Sequence, residues 1–126
     1  VSPQIWDIIR RKTYKLAGYK CEVCGGKGPT YPVECHEKWL YTSDGKQILE
    51  GFVALCPDCH RVKHIGRAQI FGYFEDALAH LMKVNNWSEE EALLYIESVF
   101  DLWKERSTRQ WDLDITYIER FINEQD

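Results

Sequence analysis

The 126-residue chain predicts an α+β fold, mostly helical: a small hairpin-and-helix module stapled by zinc, with an N-terminal helix and a C-terminal helical extension. Three observations carry that expectation. Two C-x-x-C pairs, Cys21–Cys24 and Cys56–Cys59, bracket a stretch whose pattern is extended rather than helical. Apolar residues recur at helical spacing before the first pair and again beyond Gly66. Charge divides in the same place, because residues 1–67 hold eleven basic and seven acidic side chains and residues 68–126 hold five and thirteen. The expected domains are therefore 1–66, the N-terminal helix with the metal module, and 67–126, an acidic helical extension packed on it.

Each element has its own warrant. Pro3 suits a first helical turn, Ile5, Trp6, Ile9 and Leu16 fall at helical spacing, and Gly18 is a stop, which predicts a helix over 3–17. Val33–Tyr41 and Gln47–Leu55 read as extended runs around the turn signal Ser43-Asp44-Gly45-Lys46, hence a β-hairpin. Pro57 then opens a helix over 57–64. Residues 67–84 place Ile70, Phe71, Phe74, Leu78, Leu81 and Met82 on one stripe. Ser88 with Glu91 forms a capping-box signature ahead of a helix carrying Leu93, Tyr95, Ile96, Val99, Phe100 and Trp103. A last helix is expected near 113–124, with Ile115, Ile118 and Ile122. Core packing explains the aromatic stripes better than a cofactor or partner groove.

Five cysteines, an odd number, fit a disulfide scaffold poorly. Two thiolates three residues apart on a tight turn hold one metal ion, and two such turns complete a tetrahedral site, so Cys21, Cys24, Cys56 and Cys59 predict a structural Zn²⁺. Buried reduced thiols or a redox pair are the alternatives, and a redox pair would want a βαβ context that the pattern lacks. His60 and His64, four residues apart, share a helix face and can hold an ion between them.

Composition excludes other classes. With 44% hydrophobic and 29% charged residues the chain is neither disordered nor fibrous. No apolar run approaches the roughly 18–20 residues of a membrane span, so no membrane partner is expected. Val1–Asp7 has neither the basic start nor the apolar core of a secretion signal, and a cytoplasmic protein is the expectation. The basic first half can face phosphate despite a whole-chain charge of −4.

At Cys21-Glu22-Val23-Cys24, His36 on the hairpin, and Leu55-Cys56-Pro57-Asp58-Cys59-His60-Arg61-Val62-Lys63-His64, the chain resembles the HNH endonucleases of the ββα-metal fold, in the subset with a four-cysteine structural zinc. The resemblance covers roughly residues 20–66. It implies a metal-dependent hydrolysis of phosphodiester bonds in which His36 takes a proton from the attacking water. It also implies that His60 and His64 hold a catalytic divalent cation, Mg²⁺, Mn²⁺, Ni²⁺ or Zn²⁺. Two positions depart from the family pattern. Cys35 stands where an additional cation ligand, His or Asp, is usual, and Gly51 stands where an Asn or His steadies the loop bearing the base. Cys35 is thus open to three readings: a ligand favouring a soft ion, a packed thiol, or a fifth thiol without a role.

The chemistry is consistent with the residue types. An imidazole with an ordinary pKa near 6.5 accepts a proton at neutral pH, and Arg61, Lys63 and Arg67, beside His60 and His64 in the sequence, can contact phosphates. The expected partner is nucleic acid, DNA in preference to RNA, with a protein partner or a homodimer through the acidic extension as a further expectation. The alternatives from other classes are a catalytically weak or inactive HNH-like zinc module that binds nucleic acid or protein, and a regulator whose acidic helices mimic DNA.

Overall fold

The computed structural model describes residues 1–124. It is α+β, about half helical, with one three-stranded sheet, and it divides into two compact units: Val1–Cys56 with the segment from Gln110 onward, and Pro57–Arg109.

In the first unit, α1 spans Pro3–Leu16. Ser2 caps it by accepting the Ile5 amide at 3.2 Å, and Pro3 occupies the first turn, where its missing N–H costs nothing. Gly18, at φ +65°, ends it. The inward face runs through Trp6, Ile9 and Thr13, with Ile9 fully buried; Leu16, expected on that face, is exposed. Buried Thr13 is satisfied by donating to the Ile9 carbonyl at 2.8 Å.

Strands β1 (Glu34–Tyr41) and β2 (Lys46–Leu55) form the antiparallel hairpin, from Glu34 opposite Leu55 to Tyr41 opposite Gln47. Gly45, at φ +92°, turns the loop, and Thr42 closes it by bonding Lys46 through both its backbone and its hydroxyl. Strand alternation gives the hairpin two faces. Cys35 and Phe52 lie on one, packed with Ile9, Phe121, Trp6 and Tyr117; His36 lies on the other, opposite Val53.

A short third strand, β3 (Asp112–Asp114), pairs parallel to the start of β2, and after two intervening residues the unit's second helix begins, α6 in chain order (Tyr117–Asn123). The sequence pattern placed a helix from residue 113. The helix starts later because Asp114 turns the chain, accepting from both the Thr116 amide at 3.0 Å and its hydroxyl at 2.7 Å. Lys12 of α1 then bonds the carbonyls of Phe121 and Glu124, meeting the unpaired acceptors at the end of α6.

The second unit is helical: α2 Pro57–Lys63, α3 Ile65–Ile70, α4 Phe74–Asn85 and α5 Glu89–Ser107. Its core gathers Ile65, Ala68, Ala77, Leu78, Leu81, Ala92 and Ile96, each buried aliphatic side chain the size of Leu or Ile contributing about 1.5–3 kcal/mol. Ser88 and Glu91 make the capping box reciprocally, at 3.1 and 3.2 Å. One continuous helix over 67–84 does not form. Gly72 sits at φ +82° and the Tyr73 amide bonds the Ala68 carbonyl at 2.8 Å, which stops α3 and restarts the chain as α4. Ile70 and Phe71 are consequently exposed, at 80% and 64%, and Trp103 of α5 is 65% exposed, so these members of the predicted apolar stripes lie outside the core.

Candidate metal centres

The first C-x-x-C forms a knuckle whose backbone is aimed at sulfur. The amide of Cys24 points at Cys21 Sγ (3.5 Å) and that of Gly26 at Cys24 Sγ (3.4 Å), while Gly25 N bonds Cys21 O and Cys21 N bonds Gly26 O, each at 2.9 Å. Gly25 takes φ +75°, and a β-carbon on Gly26 would meet Cys24 Sγ at 3.3 Å, so both glycines belong to the knuckle's geometry.

Glu22 anchors the knuckle to β2. Its amide donates to the Ala54 carbonyl at 2.9 Å and its carboxylate accepts the Ala54 amide at 2.6 Å. This pairing leads Cys24 Sγ to within 3.6 Å of Cys56 Sγ. The ligand atoms of Cys21, Cys24, Cys56 and Cys59 all lie within 4.8 Å of one another. Sulfurs bound at about 2.3 Å on a tetrahedral ion stand about 3.8 Å apart, so the observed pair is at coordination spacing. Four thiols, three of them buried, can hold a structural metal such as zinc.

His80, which the sequence pattern left unassigned, reaches this group from α4, its Nε2 3.0 Å from Cys59 Sγ. With Nε2 protonated it donates to the thiolate. Neither Glu22 nor His80 carries a spacing signal, since each acts through hydrogen bonds to a residue distant in sequence.

The second group is His36, His60 and His64, whose ligand nitrogens also lie within 4.8 Å of one another. His60 Nε2 and His64 Nε2 are 3.1 Å apart, with ring centroids at 4.7 Å. Two imidazole nitrogens on a tetrahedral ion at about 2.0–2.1 Å stand about 3.3 Å apart, so this pair too is at coordination spacing. The helical i, i+4 relation sets these rings edge to face on one side of α2 and the turn after it. Glu37 Oε2 lies 4.0 Å from His36 Nδ1, at ion-pair range when the imidazole is protonated.

Cys35 is not in this group. The pleat turns it to the core side of the hairpin, where its thiol donates to Thr13 Oγ1 at 3.6 Å. Burial pushes that thiol up to about 11, so it stays protonated at neutral pH. Gly51 pairs with Lys38, two residues from the Val53–His36 pair and on the same face as His36. A β-carbon there would meet only the Lys38 stem, at 3.8 Å.

The three basic residues near the histidines diverge. Arg61 bonds Asp58 at 3.4 Å and lies over the Tyr73 ring at 5.0 Å. Lys63 and Arg67 line a groove of the second unit instead. Among the described residues no helix is long and apolar enough to cross a membrane.

Compared with family models, characterised proteins and solved structures, the chain matches none.

Proposed function

We propose that the protein is a metal-dependent endonuclease of the HNH kind, hydrolysing phosphodiester bonds in DNA. One observation carries the reading: His36, which arrives from the hairpin, shares a space of 4.8 Å with His60 and His64, which are separated from it in sequence by more than twenty residues. A core histidine would have no reason to sit there. The donor chemistry of the two clusters also differs in the way a structural and a catalytic site differ, four thiolates closing one and two imidazoles, those of His60 and His64, leaving positions open at the other.

His60 and His64 would hold the catalytic cation, and the four cysteines a structural zinc. When bound, the cation supplies neutralisation of charge on the scissile phosphate and on the departing oxygen. His36 accepts a proton from water at a ring nitrogen as the water oxygen bonds phosphorus and the bond to the leaving oxygen breaks. Lys63 and Arg67 hold neighbouring phosphates in register.

A second reading is favoured by Gly51, which offers no side chain where the resembled family has one: a weak or inactive HNH-like zinc module that binds nucleic acid or a protein. One experiment separates them. Supercoiled plasmid is incubated with metal-stripped protein resupplied with zinc and then with Mg²⁺, Mn²⁺ or Ni²⁺, with His36→Ala prepared identically. The nuclease reading expects nicking that falls by about 10²–10⁴-fold in the variant at unchanged zinc content. Intact plasmid with every ion, from protein that retains zinc, overturns it in favour of the binding module.

A further inference from the structure

The second unit carries a groove of about 750 Å³, formed where α3 faces the C-terminal half of α5. That volume lies within the roughly 300–1,000 Å³ of small-ligand sites. Phe71 and Trp103 are among its lining residues and expose about two thirds of their surface, at 64% and 65%. Leaving such rings in water forgoes burial worth several kcal/mol per pair, and neither is needed for the core of the unit, which closes on Ala92 and Ile96 of α5.

The polar members of the lining are of one sign. Lys63, Arg67 and Lys104 contribute cations, and no carboxylate lines the groove, although α5 begins Glu89-Glu90-Glu91 and carries Asp101 and Glu105. None of the ion pairs among the described residues takes Lys63, Arg67 or Lys104. Flat aromatic surface framed by unneutralised cations is complementary to a planar ring joined to phosphate, and an apolar partner would leave those charges without counterparts. His64 lines the same groove and belongs to the histidine group, so the two features share a residue.

From this we infer that the groove receives an unpaired nucleotide of a DNA strand, its base stacked on Trp103 and Phe71 and its flanking phosphates on Lys63, Arg67 and Lys104. The inference rests on the nuclease reading for its ligand class and adds a substrate preference to it: single-stranded DNA, or a duplex carrying an unpaired or extruded base beside the bond to be cut. In a paired duplex the base faces are already stacked, so they cannot reach the rings without unpairing.

The test measures binding rather than cleavage. Fluorescence anisotropy follows a short labelled DNA strand titrated with zinc-loaded full-length protein, with no further divalent ion added. Trp103→Ala is expected to weaken binding about tenfold, and Trp103→Phe to retain most of it. Wild-type protein should bind a strand made abasic at successive positions about as weakly as the alanine variant binds the intact strand. Lys104→Ala should reduce the slope of log affinity against log salt by about 0.7. Exposure of Trp103 keeps these variants foldable, and an unchanged circular dichroism melt verifies it.

Equal binding by wild type and Trp103→Ala, or equal binding of intact and abasic strands, overturns the inference. So does tighter, Trp103-dependent binding of the matching RNA, or a wild-type dimer in sedimentation that Trp103→Ala dissociates, since a second copy would then cover the groove. Plasmid that stays intact while binding keeps its Trp103 dependence removes the nuclease reading and leaves the groove. Cleavage without that dependence does the reverse.

Discussion

The cysteine and histidine groups are of similar span, yet they are built differently. The cysteines are backed by structure: amides of Cys24 and Gly26 aimed at sulfur, Glu22 tying the knuckle to β2, His80 against Cys59, and three of four thiols buried. The histidines are half-buried or exposed, and the hydrogen bond that relates His60 and His64 is between the two rings themselves. A closed, mostly buried set of four thiolates retains its ion and the fold along with it, while a more exposed set of imidazoles leaves room for a substrate oxygen and a water. Proximity of donors alone does not define a metal site's role; the type of donor and its burial decide with it.

Removing one donor from each group should separate the two sites by the widest margin. The apparent energy of a structural zinc in a small domain is about 10–16 kcal/mol, so Cys56→Ser is expected to lose both the zinc and the cooperative melt of the chain. His64→Ala should keep them, with a melting shift of only a few degrees, as about 1 kcal/mol would give. Elemental analysis and circular dichroism on the same preparations measure both; a folded, zinc-bearing Cys56→Ser protein would remove the structural role from the cysteines.

A subtler change acts on the support behind the sulfurs. His80→Ala should lower zinc affinity about 10–100-fold in a competition with a chromogenic chelator, and His80→Gln, whose amide can still donate, should recover part of it. An unchanged affinity in His80→Ala would mean that the 3.0 Å contact is incidental.

The smallest expected effect belongs to Glu22. Glu22→Ala leaves the Ala54 amide without its carboxylate partner, a loss of about 1–3 kcal/mol, read as a shifted denaturation midpoint with zinc still bound. No shift would indicate that the four thiolates hold the knuckle against β2 unaided.

Much of the two metal-ligand groups was readable in advance because it is local. Two C-x-x-C turns and an i, i+4 histidine pair are spacings along the chain, and the hairpin between Val33 and Leu55 announces itself by pattern and turn chemistry. What escaped was decided by distance or by one dihedral. β3 is three residues long and exists only through its pairing with Lys46–Ile48. Gly72 breaks a stripe whose periodicity continues across it. Cys35 could be left as a ligand only while the face it shares was unknown; once His36 is set toward the other histidines, a pleat sends its neighbour to the opposite side. Glu22 and His80 act through partners thirty-two and twenty-one residues away, which no local window contains.

The pairing of Ile9 with Phe121 in one buried cluster has a consequence for how the chain comes into being. The first unit is discontinuous, with residues 57–109 emerging between its two segments. At about 5–20 residues per second of synthesis, the N-terminal helix and the knuckle wait on the order of ten seconds for the aromatic residue that completes their core. During that interval the helical unit gains its residues one by one, while Cys21, Cys24, Cys56 and Cys59 are present as a set from the moment Cys59 emerges. Capture of zinc by those thiols would hold the hairpin's two ends in place until α6 arrives, giving the metal a task in biogenesis that precedes any it has in the finished molecule.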